Sequence, residues 1–209
     1  MKKMLFGSVL ALLVAAGCTK DPVAHLSEDE SRIYITNYDT TAVFTNYKTF
    51  AIADSVAIVK NNRLQTKERT DYDVQLINAI ANELKQKGYT QVSNSQNADL
   101  GVAVSIVTNT STGLIQYGGY GGFYDSYWDP YYWGYGGYGY GYPSAYGLVQ
   151  STEAMISVDL LDLKNAPTNQ NIRVIWNGLI RGSGIFSGDA TTTGVQALFA
   201  QSSYLQANP

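Results

Sequence analysis

The chain has 209 residues, 45% of them hydrophobic and 15% charged, with 14 basic and 17 acidic side chains giving a net charge of −3. That length sets one domain as the expectation, and the near-neutral balance supplies no attraction for a phosphate backbone, so no nucleic-acid partner is expected. One cysteine excludes intrachain disulfides and multi-cysteine zinc sites, and one histidine removes most His-based metal and triad chemistry; no metal, cofactor or catalytic residue is expected, and the counts weigh against an enzyme.

Residues 1–17 read as a leader. Met1-Lys2-Lys3 is a short positive segment, and the apolar run from Met4 to Ala16 is shorter than the roughly 20 residues needed to cross a bilayer. Small residues then precede the sole cysteine, and Val14-Ala15-Ala16-Gly17-Cys18 resembles the bacterial lipobox. That resemblance implies cleavage before Cys18 and acylation of its sulfur, hence a lipid-anchored protein of the cell envelope at the outer membrane. Several acyl chains hold a protein where one does not, at about 0.8 kcal/mol per buried methylene. Loss of Lys2 and Lys3 with the leader leaves 12 basic against 17 acidic residues, a net −5, so the lipid rather than a basic patch does the anchoring.

Residues 18–31 read as a tether, with Pro22, four acidic residues and no hydrophobic period. The thirteen residues after Cys18, Thr19 to Ser31, reach about 45 Å at full stretch, which keeps the following domain near the membrane surface. His25, in this tether beside no second ligand, reads as a solvated loop residue. A single α+β domain is expected over 32–209.

Residues 32–38 and 43–52 carry β-branched and aromatic strand patterns. Residues 54–69, with Lys60, Arg63, Lys67 and Arg69, read as a solvated connection. The spacing of Val74, Ile77, Ile80, Ala81 and Leu84 predicts a helix over 70–87, capped by Thr70 and closed by Gly88. A short strand at 89–92 and a strong one at 98–108 follow, the latter with Leu100, Val102, Val104 and Ile106 on one face and small residues on the other. Residues 152–163 and 172–181 pair as an antiparallel hairpin. A second helix over 189–205 turns Val195, Leu198, Phe199 and Leu205 inward, although three threonines and Gly194 are weak helix formers.

Between the two strongest strands lies an insertion, 117–147, holding 11 of the 17 tyrosines, ten glycines, Trp128 and Trp133. Three readings stay open for it: a loosely self-packed loop without a ligand, an aromatic surface stacking on a glycan or an envelope protein, and an aromatic cluster at the bilayer interface. The second makes Tyr120, Tyr124, Trp128, Tyr131, Tyr132 and Trp133 the candidate ligand-binding residues. Gly119, Gly121 and Gly122 lack the Lys-Ser/Thr and helix of a phosphate loop. Gly182-Ser183-Gly184 lacks the spacing of a nucleophile elbow. Asp159 and Asp162, three apart on a strand, point to opposite faces, and Asp99 and Asp159 read as solvated edge carboxylates rather than a metal pair.

Taken in order, Tyr47-Lys48-Thr49-Phe50-Ala51, Leu84-Lys85-Gln86-Lys87-Gly88-Tyr89, Ala98-Asp99-Leu100-Gly101-Val102, Val158-Asp159-Leu160-Leu161-Asp162, Val174-Ile175-Trp176-Asn177-Gly178 and Val195-Gln196-Ala197-Leu198-Phe199 resemble the bacterial lipoproteins carrying domain of unknown function 4136. Asn177 stands where that family commonly has arginine. The resemblance spans residues 33–206 and implies no enzymatic activity. The expected architecture is one largely antiparallel sheet of about five strands, two helices on one face, and the Gly/Tyr-rich insertion projecting from an end. The expected role is structural or binding, with a glycan- or protein-binding module built on the insertion as the alternative.

Overall fold

The structure is a computed structural model that describes residues 26–60, 63–93, 97–108, 131–141 and 154–207. The leader, Cys18 and most of the tether lie outside the described residues, as do Tyr120, Tyr124 and Trp128.

Local signals place the first helix, α1 (Asp71–Gln86), where they predict it. Thr70 Oγ1 accepts from the Asp73 backbone N–H at 3.3 Å, and the Asp73 carboxylate accepts from the Thr70 N–H at 2.7 Å, a reciprocal cap contributing about 1 kcal/mol. Gly88, at φ +91°, ends the helix. The buried stripe runs through Leu76, Ile77, Ile80, Ala81 and Leu84; Val74 sits at its half-buried margin, and Leu76 takes the central place.

Among the described residues, nine strands form one mixed sheet: β1 (Ile33–Tyr38), β2 (Thr49–Ile52), β3 (Val56–Lys60), β4 (Arg63–Glu68), β5 (Thr90–Gln91), β6 (Leu100–Thr108), β7 (Gly139–Gly141), β8 (Ala154–Asp162) and β9 (Asn171–Arg181). The strand path is β1-β9-β8-β6-β2-β5. The β1–β9, β9–β8 and β8–β6 pairs are antiparallel, as the hairpin reading expects. The expected five-stranded, largely antiparallel sheet is nonetheless corrected. β2 and β3 follow each other along one side of β6, both parallel to it, and β5 lies parallel to β2. Nine segments therefore occupy about six strand positions.

Two further readings are corrected. Residues 43–52 are not one strand: Phe44–Asn46 form a 3₁₀ turn that buries the Phe44 and Tyr47 rings, and β2 begins at Thr49. Residues 54–69 are not a solvated connection but the β3–β4 hairpin. Val56, Ala57 and Val59 are buried while Lys60 and Lys67 face solvent, so the charges mark the outer side of a strand pair.

The last helix, α3 (Gly188–Gln201), buries Val195, Leu198 and Phe199 as expected, and Leu205 packs beyond its end. Its weak formers have uses. Thr191 Oγ1 lies 2.9 Å from both the Ser187 carbonyl and the Tyr72 hydroxyl, linking α3 to α1. Gly194 lets the helix approach the sheet, since a Cβ there would stand 2.9 Å from Ile180 Cδ1. Both long helices cover the face carrying Leu100, Val102, Val104, Ile156, Val158 and Trp176.

The opposite face is covered too. A short helix, α2 (Ala166–Asn169), and residues 131–141 of the insertion lie against Ala51, Ala57, Val59, Val107, Met155, Leu161 and Leu179. The described part of the insertion therefore folds back on the sheet instead of projecting from its end, and β7 adds it parallel to β9. The small residues that β6 presents on this face leave room for bulky aromatic cover.

Candidate functional site

Three groups of side chains concentrate the polar and aromatic chemistry of the described residues. The first is the described end of the Tyr-rich insertion. Trp133, 9% exposed, joins the second hydrophobic cluster, and Tyr132 meets its ring edge-on at a centroid distance of 4.9 Å. The Tyr132 hydroxyl accepts from the Asp54 N–H at 3.2 Å, and the Lys67 ammonium lies 5.8 Å above the ring. Tyr135 stacks on Tyr138 and donates to the Leu163 carbonyl at 3.1 Å; burial pushes its phenol pKa up. Of the candidate binding aromatics that are described, Tyr131 is 78% exposed, whereas Tyr132 is half-buried and Trp133 is enclosed.

The second group is a polar pocket of about 210 Å³ between the 41–47 segment and the β8–β9 connection. Tyr47, Asp162, Asn165 and Arg173 line it. The Asp162 carboxylate accepts from the Asn165 backbone N–H at 3.0 Å and from Asn165 Nδ2 at 2.8 Å, closing the turn after β8. Burial and the nearby Asp162 carboxylate push the Tyr47 phenol well above its ordinary pKa, so it stays protonated across the physiological range. Arg173 pairs with Asp39, whose carboxylate also accepts from the Thr41 N–H and hydroxyl at 2.9 and 2.7 Å. Lys164 donates to the Asn46 carbonyl at 2.6 Å. These bonds tie the 39–47 segment to the β8–β9 connection and the start of β9, and the pocket they leave admits a few waters or one small polar molecule.

The third group lies inside the sheet. Ser105 on β6, Ser157 and Asp159 on β8, and Asn177 on β9 share the second face and are all buried, Asp159 at 1% exposure. Asn177 Nδ2 donates to Asp159 Oδ1 at 2.5 Å and to Ser157 Oγ at 3.0 Å, and Ser157 Oγ lies 3.3 Å from Asp159 Oδ2. Burial pushes the Asp159 carboxyl up to about 7, with the Asn177 and Ser157 bonds opposing the shift. Ser105 Oγ and Asn177 Oδ1 have no hydrogen-bond partner among the described residues.

This arrangement corrects the expectation of solvated edge carboxylates. Asp159 is enclosed because the β8–β9 register sets it against Asn177, in the middle of the sheet, and the insertion side of the sheet is covered. Asp99 is half-buried and fixes the starts of two strands. Its Oδ2 accepts from the Lys48 N–H at 2.7 Å, and its own N–H donates to Thr49 Oγ1 at 2.9 Å. Register pairs Asp159 with Ala103, four residues beyond Asp99 on β6, a separation of about 13 Å, so the two do not form a metal pair. Asp159 and Asp162 do fall on opposite faces, one beside Asn177 and the other beside Tyr47.

Sequence reasoning did not find the pocket or the buried Ser/Asp/Asn group. Two signals were available. A Ser-x-Asp pattern on one face of an otherwise apolar strand reads as an internal polar cluster once Asn177 is in phase. An Asp162-x-x-Asn165 spacing at a strand end is an Asx-turn signature.

The model of the family described as "Domain of unknown function (DUF4136)" matches residues 35–202. Among solved structures, a DUF4136 family protein from Bacteroides thetaiotaomicron is 26% identical at a TM-score of 0.66, with 85% of this chain and 99% of that one covered. A PelC dodecamer from Paraburkholderia phytofirmans is 15% identical at a TM-score of 0.42, with 85% and 99% covered. A PDZ domain protein from Parabacteroides distasonis is 14% identical at 0.45, with 85% of this chain and 37% of that one covered. The comparison with curated proteins gives no match.

Proposed function

This chain belongs to the DUF4136 family, and on that premise we propose that it is a non-catalytic, lipid-anchored protein of the cell envelope, held at the outer membrane through Cys18, with a structural or binding role. The observation that carries the proposal is the sole cysteine, placed where a small-residue run ends a short apolar leader. The polar groups of the domain fit the same reading. Asp99, Asp162 and Arg173 are engaged in hydrogen bonds and ion pairs that join strands and turns. Asp159 is enclosed within the sheet. Cys18→Ala should move the mature chain from the membrane fraction into the soluble fraction of lysed cells; continued sedimentation with membranes would reject the anchor.

A second reading keeps the Tyr-rich insertion as a contact for a glycan or another envelope protein, and exposed Tyr131 favours it. Because Tyr132 and Trp133 are engaged in packing, point substitution tests this reading better than deletion. Tyr131→Ala should lower retention on cell-wall glycan or envelope protein several-fold with the circular dichroism spectrum unchanged. Equal retention would leave the structural role alone.

A further inference from the structure

We propose that the outer edge of β1 is a docking surface for a second copy of this chain, whose own β1 adds to it antiparallel about a two-fold axis at Thr36.

The first ground is a contrast among the sheet's edges. Among the described residues, β1 and β7 border one side of the sheet, and β4 and β5 the other. Sheets protect their edges with short strands, charges or proline, because unpaired N–H and C=O groups recruit further strands. β5 has two residues and β7 three, and β4, of sequence RLQTKE, carries three charges in six. β1 has none of these protections. Its six residues, IYITNY, contain no charge and no proline, and five of them are β-branched or aromatic. Ile33 and Tyr38 are exposed at its two ends.

The second ground is the direction of its backbone. The Asp39 N–H donates to the Ile175 carbonyl at 2.9 Å, so odd-numbered residues of this segment address β9. Tyr34, Thr36 and Tyr38 consequently turn their N–H and C=O groups outward. Gln201 Nε2 donates to the outward Tyr34 carbonyl at 3.5 Å, a long side-chain bond that an incoming strand would share or displace.

The third ground is self-complementarity, and it selects a second copy over an unrelated strand. In an antiparallel pair, outward-directed residues must face each other on one side of the sheet. Centring the pair on Thr36 places Thr36 opposite Thr36 and Tyr34 opposite Tyr38 twice, with about six backbone hydrogen bonds. Threonine–threonine and aromatic–aromatic pairs are among the favourable cross-strand combinations. Tyr38 already stacks on Tyr204 at 4.0 Å beside Phe44, so each new Tyr34–Tyr38 contact extends an existing aromatic group across the junction. The two Ile33 residues would stand about 20 Å apart, within reach of two tethers on one membrane.

The test uses the lipidated chain extracted in mild detergent. Paired Thr36 residues would have Cα atoms about 5.5 Å apart, inside the disulfide range. Thr36→Cys should therefore give a disulfide-linked dimer under mild oxidation, at a yield at least tenfold above Ile33→Cys or the unsubstituted chain. Thr36→Lys puts a charge at a half-buried edge position outside the buried core and should lower the dimer fraction measured by light scattering at least tenfold, with the circular dichroism spectrum unchanged. An unsubstituted chain that is monomeric, equal cross-linking at positions 33 and 36, or a dimer that survives Thr36→Lys would overturn the proposal. A monomer would also mean that a segment of the chain itself, or a different partner, covers this edge.

Discussion

Asp159→Asn is expected to stabilise the domain by about 4 kcal/mol at pH 8 and to change its stability little at pH 4. The unfolded carboxyl titrates at its ordinary value of 3.8, whereas burial raises the folded one to about 7. Below pH 4 the group is protonated in both states and folding carries no charge penalty. Between about 4 and 7 the unfolded chain gives up a proton that the folded chain keeps, so stability falls as pH rises. Above about 7 the folded state holds an enclosed carboxylate and the loss is complete; at 1.36 kcal/mol per unit, the shift amounts to about 4 kcal/mol. An amide at 159 has the same shape without the charge, and it adds a donor to a cluster in which Asn177 Oδ1 lacks one. Urea unfolding of both proteins at pH 4 and pH 8 measures the effect. Parallel stability–pH profiles for the two would refute the assignment.

Trp176→Ala should cost about 4 kcal/mol at any of these pH values. Trp176 is 0% exposed, its ring is 5.4 Å from that of Phe199, and its indole N–H donates to Ser202 Oγ at 2.9 Å. Ser202 Oγ in turn donates to the Leu198 carbonyl at 3.1 Å, so one side chain joins β9 to the end of α3. Truncation leaves a cavity lined by both and removes the donor that Ser202 accepts from. In thermal unfolding the midpoint should fall by roughly 10 °C or more. A loss below about 1 kcal/mol would mean that α3 is not fastened to the sheet through this residue.

What could be read from the sequence followed from how local each signal is. α1 was legible because Thr70, Asp73, Leu84 and Gly88 each act within one helical turn of their neighbours. The β8–β9 hairpin was legible because Val158, Leu160 and Trp176 alternate in phase across a short connection. The parallel pairings of β2 and β3 with β6 were not, since nothing within either strand specifies a partner 50 residues away. The β3–β4 hairpin was hidden because Lys60, Arg63 and Lys67 dominate a segment whose apolar run is only four residues long. The insertion was misplaced for a related reason. Its aromatics have no period of their own, and Trp133 finds its place only against the small residues that another part of the chain presents. Burial of Asp159 likewise depends on inter-strand register, which sets Asn177 beside it. The polar pocket joins residues from positions 41 to 175, and only the closed fold brings them together.

Intact-mass spectrometry of the protein isolated from native membranes tests the lipid anchor most directly. The expected species lacks residues 1–17 and begins at an acylated Cys18, its mass exceeding that of the bare 18–209 polypeptide by a diacylglycerol thioether or more. A species with an unmodified Cys18 thiol, or one still carrying Met1–Gly17, would contradict the anchor and the envelope role built on it.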